Sequence, residues 1–329
     1  MMSTPTQMEK TAQHEPRRFD VALAWERFGI LAVLVILVIL MSVIAPNFLS
    51  LTNGLNVARA VSINAILAAG MTVVILTGGI DLSVGSAIAL TGVSAVLLWT
   101  AGAPAIVAVL GGIIVGALTG LVNGTLIAYL GLPAFIITLG ALTYIRGISY
   151  SLTNGRPLIA SDLGFRGLGN GGIAGIPTPV VIMLLVYIVL WFVLERTAFG
   201  RHVYAIGGNA EAARLAGINV KWTLVRVYLI MGACAGLAGV IFAARVESGQ
   251  PKAGEGYELD AIAAVVLGGT SLMGGRGRIV GTLIGALIIG VLSNGLVLMN
   301  VPFFYQLIVK GAVIVLAVGI DGLKNLKRL

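Results

Sequence analysis

The sequence predicts an all-α integral membrane protein of about ten transmembrane helices. Three observations carry this. Hydrophobic residues make up 58% of the 329 and charged residues only 10%, where a soluble domain carries about 25% charged residues. Mean hydropathy is +1.03. The 45 glycines suit helices that pack closely in a bilayer, where small residues let backbones approach.

The elements follow from the apolar runs, which place ten spans near 28–45, 62–79, 83–99, 104–129, 133–152, 178–194, 223–245, 258–274, 279–298 and 303–320. A span needs about 20 apolar residues. Several runs are shorter or broken by Gly, so tilted, kinked or re-entrant segments are expected among them. The first run, Phe28 to Ala45, is followed by Pro46-Asn47-Phe48 without a small-residue cleavage site. It therefore reads as a retained span rather than a signal peptide. The organisation is an N-terminal tail (1–27), one polytopic domain (28–320) and a C-terminal tail (321–329), with no soluble catalytic domain. The longest outward loop, Thr153 to Thr178, is rich in Gly and Pro and large enough to receive a partner, though not to form a domain.

With an inward N-terminus, fourteen Lys and Arg fall on one side and six on the other, Lys310 lying inside the last span. The positive-inside rule then makes both termini and the 195–222 segment cytoplasmic. The net charge of +8 is scattered along loops, which argues against nucleic-acid binding.

The segment 195–222 is a polar island between two apolar runs. Asn209 is a suitable helix N-cap, Glu211 suits the positive end of the dipole, and Gly217 suits a helix stop. This describes a short self-capped helix on the face of a membrane body, where a soluble partner docks.

Two glycine motifs echo each other. Gly78-Gly79-Ile80-Asp81-Leu82-Ser83-Val84-Gly85 and Gly268-Gly269-Thr270-Ser271-Leu272-Met273-Gly274-Gly275 share GG-x-x-L-x-x-G, and 114–120 resembles 279–285. An internal repeat of the kind transporters use and chance matching in a Gly- and Leu-rich chain both account for this.

Polar groups inside apolar runs need water, a partner or a function. Asp81 reads either as a cap working through the amides near Ser83 or as a pathway group. Glu258 and Asp260, at the start of a helix, read as dipole-favoured caps or as contacts at the outer mouth. Asn64, Thr72, Asn123, Thr138, Thr143 and Asn294 bond between helices or line a route. The candidates for pathway or gating are Asp81, Ser83, Asn64, Asn123 and Asp260. Arg146 and Arg245, near outer helix ends, are expected to snorkel. Lys310 calls for a partner across the bundle that the sequence does not name. Cys234, between Gly232 and Gly236, reads as a buried small residue.

No G-x-x-x-x-G-K-[ST] loop is present, so the chain itself is not expected to hydrolyse nucleotide. The only histidines, His14 and His202, are too few for a metal site or a nucleophilic triad. Neither enzyme activity nor a metal is expected.

Three long runs carry a family likeness: Ile75-Leu76-Thr77-Gly78-Gly79-Ile80-Asp81-Leu82-Ser83-Val84-Gly85-Ser86; Ala205-Ile206-Gly207-Gly208-Asn209 with Arg214-Leu215-Ala216-Gly217-Ile218; and Gly256 to Ser271, continuing to Gly281. On these residues the chain resembles the membrane permease subunit of bacterial ribose-type ABC importers, from about Leu49 to Gly319. The resemblance implies two permease subunits, read as a homodimer, forming a pathway in the bacterial inner membrane. It implies a cytoplasmic ATPase pair that binds ATP and Mg, and a periplasmic sugar-binding protein above. It makes Gly208, Asn209, Glu211, Ala212, Arg214 and Gly217 the ATPase-coupling residues. Ribose is the nearest likeness, and permeases for xylose, galactose, arabinose and autoinducer sugars share much of the pattern. The competing class is a self-contained secondary transporter or channel, which would want an intramembrane relay of acids.

Overall fold

The computed structural model describes residues 21–326. The order of elements is α1 (Val21–Ile44), α2 (Leu51–Leu76), α3 (Val84–Thr100), α4 (Ala105–Leu130), α5 (Ala134–Thr153), β1 (Leu158–Ile159), α6 (Gly167–Asn170), β2 (Gly172–Ile173), β3 (Ile176–Pro177), α7 (Thr178–Arg196), α8 (Ala198–Gly208), α9 (Ala210–Leu215), α10 (Val220–Val246), β4 (Ser248–Gly249), α11 (Tyr257–Leu267), α12 (Ile279–Leu298) and α13 (Phe303–Leu326). The protein is an all-α membrane protein. Among the described residues, six helices are long and apolar enough to cross a bilayer: α2, α4, α5, α7, α10 and α12. Shorter apolar helices, Gly29–Ile44, Val84–Thr100 and Phe303–Leu316, accompany them.

Three boundaries differ from the sequence reading. Helix α2 starts at Leu51 rather than 62, because Ser50 caps it by accepting from the Asn53 amide at 3.2 Å. The polar side chains of Asn53, Asn56 and Arg59 hid this first third from an apolarity count. The segment expected to span 258–274 is instead the 11-residue α11 followed by an irregular loop. At 1.5 Å per residue it covers about 16 Å, half a bilayer core. Helix also occupies the ends assigned to tails, from Val21 and on to Leu326. Residues 1–20 and 327–329 of those tails lie outside the described residues.

Helices α2 and α10 are buried over most of their length, whereas α4, α5 and α7 each leave a wide face exposed. The sequence of α4 explains its orientation. Gly112, Gly116, Gly120 and Gly124 recur every fourth residue on its inner face, and Leu110, Ile114, Leu118 and Val122 recur on its outer face. A Cβ at Gly116 would lie 2.6 Å from Gly236 Cα, and one at Gly120 would lie 3.0 Å from Gly232 Cα. The α4 and α10 backbones are thus in direct contact, as the small-xxx-small pattern allows. Large apolar side chains turned outward are the expected surface of a protein solvated by lipid.

Most neutral polar groups join helices. Asn53 and Asn294 exchange amide hydrogen bonds at 3.0 Å between α2 and α12, and the Thr72 and Thr282 hydroxyls lie 2.8 Å apart. Thr143 bonds only within its own helix, to the Leu139 carbonyl. The outward loop is a compact cap. Leu158 and Ile159 pair antiparallel with Gly249 and Ser248, and Asn170 donates to the Ala244 and Arg245 carbonyls at the end of α10.

Candidate functional site

The island at 195–222 folds as two short helices whose ends are chained by capping residues. Thr197 starts α8 by accepting from the Gly200 amide at 3.3 Å. Asn209 serves both helices. Its amide donates to Ala205 O at 3.0 Å, closing α8, and its side-chain oxygen accepts from the Ala212 amide at 2.9 Å, opening α9. Gly217, at φ +85, ends the segment with Ile218 N bonded to Ala213 O at 3.0 Å. This is a left-handed stop that Gly adopts without a Cβ penalty. Asn219 then opens α10 by accepting from the Trp222 amide at 3.0 Å.

Of the six residues expected to dock a partner, Gly208, Asn209, Glu211, Ala212, Arg214 and Gly217 are all exposed. Glu211 and Arg214 form a two-pronged ion pair, at 2.6 and 3.1 Å. The Arg214 guanidinium holds the Glu211 carboxyl below its usual 4.5. Ala213 faces inward while Leu215 is 77% exposed. The outer surface therefore offers one acid, one base and one apolar side chain on a rigid turn.

The inner side of this island meets the membrane body through backbone. Val203 and Ile206 are buried, and the Tyr204 hydroxyl donates to Gly277 O at 3.0 Å. A Cβ on Gly207 would collide with Leu76 O and Gly275 N. Gly275 N itself donates to Leu76 O at 2.9 Å. Thus α8, the last carbonyl of α2 and the loop after α11 converge with no side chain between them. Sequence reasoning missed Tyr204, Gly207, Gly274 and Gly275. The doubled glycines at 207–208 and 274–275 were the available signal.

Both GG-x-x-L-x-x-G motifs end a helix in the same way. After α2, Gly78 has φ +79 and Gly79 N bonds Val74 O at 3.3 Å; after α11, Gly269 has φ +81 and Thr270 N bonds Val265 O at 3.2 Å. The left-handed residue is the first glycine of one pair and the second of the other. The two helix ends are therefore closed alike but one residue out of register with the motif.

The broken segment 77–83 carries Asp81. Its carboxylate accepts from the Ser83 amide at 2.9 Å and from the Ser83 hydroxyl at 2.6 Å. Asn123 of α4 donates to Ser83 Oγ at 2.9 Å. All three side chains are buried, and the Asn123 oxygen has no partner among the described residues. Ile80 O accepts from Thr138 of α5 and from Tyr228 of α10, at 3.3 and 3.4 Å. Three of the five pathway candidates, Asp81, Ser83 and Asn123, are therefore one hydrogen-bonded chain. The other two lie elsewhere. Asn64, on α2, keeps an oxygen without a hydrogen-bond partner among the described residues. Asp260 pairs with Lys310 at 2.8 Å, tying α11 to α13.

Arg146 departs from the expected snorkelling. Its Nη1 donates to Pro251 O at 2.8 Å and Ala253 O at 2.7 Å, tying α5 to the loop that leads into α11. Cys234 is buried, as expected of a small core residue. Among the described residues no cluster of three potential metal ligands occurs.

Comparison with known proteins places this architecture. The family described as branched-chain amino acid transport system / permease component matches residues 53–318. The chain is 50% identical to the ribose import permease protein RbsC of Escherichia coli K12 over 94% of its own length and 97% of that protein's. It is 48% identical to RbsC of Bacillus subtilis over 95% of its own length and 98% of that protein's. Identity to the D-allose transport system permease protein AlsC of Escherichia coli K12 is 39%, over 95% and 97% of the two chains. No solved structure matches. The glycine-packed helices, the capped island and near-full-length similarity to import permeases together make this chain a multi-pass membrane permease belonging to that transport-system permease family.

Proposed function

We propose that this chain is the permease subunit of an ABC importer that carries ribose, or a related monosaccharide, across the bacterial inner membrane. The observation that supports it best is the island. It is an exposed, self-capped helix pair whose inner side is joined by backbone to the ends of two broken membrane segments. A partner that moves α8 and α9 must also move the α2 terminus and the 274–277 loop, because backbone contacts leave no compliant side chain to absorb the shift.

In this reading a cytoplasmic ATPase docks on Gly208, Asn209, Glu211, Ala212, Arg214 and Gly217, and supplies the ATP and Mg chemistry. A periplasmic sugar-binding protein docks on the outer face, where the 154–177 loop caps α10. Two copies of the chain form the pathway, and both termini are cytoplasmic. About ten segments enter the bilayer, with α11 reaching only halfway. Coupling then requires that the ATPase bind one arrangement of the bundle better than the other. The Asp81–Ser83–Asn123 chain, at the first broken segment, is the gating candidate.

The test is ATP-dependent uptake of radiolabelled ribose into vesicles holding this chain with its ATPase and binding protein. Unlabelled pentoses and hexoses serve as competitors. Competition by ribose alone supports the reading. ATP-driven uptake of a different sugar retains the mechanism and discards ribose. Uptake that follows an ion gradient without ATP replaces the importer with a secondary transporter.

A further inference from the structure

A groove of about 250 Å³ runs between the middle turns of α7 and the first turns of α12. Leu184, Ile188 and Trp191 form one wall, Val280 and Leu283 the other, and the buried Tyr187 the floor. Neither the docking island nor the Asp81 chain uses it. Its walls are apolar and open outward, so its natural occupant is an acyl chain.

The groove ends among charges. The Arg196 guanidinium lies 5.8 Å from the Trp191 ring centroid. Arg278 occupies the N-cap position of α12 and is exposed. Arg276 is exposed two residues away. Glu195 is the acid at this end of α7; the Tyr204 hydroxyl is raised first by burial, then raised by Glu195 and lowered by Arg278, which places both charges near it. Three cations against one acid leave a basic rim.

From this geometry we infer that the groove is a binding site for an anionic phospholipid, with one acyl chain between α7 and α12 and the headgroup phosphate at Arg196 and Arg278. Every lipid offers an acyl chain, so the groove alone does not select. Selection comes from the rim, where each basic residue near an anionic headgroup corresponds to about a five-fold preference. The site lies beside Tyr204 and Gly277, where α8 meets the 274–277 loop. Its occupant would therefore brace the coupling junction from the lipid side. The link to coupling, and a cytoplasmic leaflet for the site, rest on the importer reading; the groove and its basic rim do not.

The test uses Trp191 as reporter. The chain has 4 tryptophans, and Trp25→Phe, Trp99→Phe and Trp222→Phe leave Trp191 alone. This variant is reconstituted with phosphatidylglycerol or phosphatidylcholine brominated on the acyl chains, and quenching is compared at equal mole fraction. Phosphatidylglycerol is expected to quench at least about five-fold more effectively per mole, with the preference shrinking in high salt. Adding Arg196→Gln and Arg278→Gln should bring the two lipids to parity while phosphatidylcholine quenching persists, which reports an intact, inserted protein. Equal quenching by both lipids in the Trp191 reporter overturns the site. So does absence of quenching by either, which would mean that protein covers the groove. Sugar uptake is read in parallel in vesicles made with unbrominated lipid. Uptake without lipid preference sinks the lipid site alone, and preference without ATP-driven uptake sinks the importer reading alone.

Discussion

Gly275 donates its backbone amide to the Leu76 carbonyl at 2.9 Å, and the Gly207 backbone packs against both groups. Leu76 closes α2, so its carbonyl has no partner within the helix and would otherwise be left unpaired. A loop from the far end of the chain satisfies it. This single bond places the island, the first broken segment and the second broken segment within contact of one another.

Gly207→Val should break that junction. The new side chain must displace the Leu76 carbonyl or the Gly275 amide, at a cost of about 1–3 kcal/mol typical of overpacking. A lower melting temperature in detergent and loss of ATP-driven uptake are the expected outcomes. Gly208→Ala is the control for stability alone, since a Cβ there meets nothing within 4 Å. Equal stability of the two variants would remove the junction from the mechanism.

Lys310→Met should destabilise more than the double change Lys310→Met with Asp260→Leu. Breaking this partly buried pair strands a charge at a cost below the roughly 3–5 kcal/mol of a fully buried one, whereas an apolar replacement of both partners is close to neutral. Thermal unfolding of wild type, both singles and the double gives the coupling directly. Additive singles would mean the pair contributes nothing in the membrane.

Asp81 can be separated into hydrogen-bond acceptor and charge. Asp81→Asn keeps an oxygen for the Ser83 amide, while Asp81→Ala removes it and should cost about 1 kcal/mol of stability. If accepting that bond is the whole role, Asp81→Asn transports like wild type. Loss of uptake in a stable Asp81→Asn protein would assign the carboxylate a part in gating.

The Glu211–Arg214 pair sets a pH dependence for docking. Arg214 lowers the Glu211 pKa, so this support for α9 is complete above the ordinary carboxylate range and is lost as pH falls through the lowered value. Binding of the ATPase, measured by co-purification, should be flat across about pH 6 to 8. Arg214→Glu places two like charges three residues apart and should weaken docking at every pH in that range. A steep change inside that range would remove the Glu211–Arg214 pair as the source of the dependence.

Gly120→Leu should prevent assembly of the bundle. The side chain would enter the Tyr228 and Gly232 backbone of α10, where no flexible atom can yield. Failure to recover monodisperse protein is expected, while Gly140→Leu, on the open face of α5, should express normally.

Local features of the chain were readable without coordinates. Asn209 and Gly217 depend on atoms within a few residues of one another, and both have the geometry their residue types suggest; Asp81 instead bonds Ser83 ahead of α3 without capping that helix. The capped island was visible as a break in hydropathy. Helix α11 was not, because an apolar run does not reveal where a left-handed glycine such as Gly269 ends the hydrogen-bond ladder. The first turns of α2 were hidden for the opposite reason: they carry polar side chains, of which Asn53 bonds Asn294 of α12 and Arg59 bonds Asn56 of the same helix.

What the sequence by itself determined is the membrane class, the set of apolar segments, the capped island and the permease family, all of which follow from composition, short-range periodicity or long matching runs. Only the tertiary structure decided that Lys310 meets Asp260, that Asn123 reaches Ser83, that Arg146 holds the carbonyls of Pro251 and Ala253, and that a side chain at Gly207, but not at Gly208, would collide with the body. Each of these joins residues distant in the chain. Their meeting depends on the rotation of each helix about its axis, and that rotation is set by close packing such as the glycine face of α4 against α10.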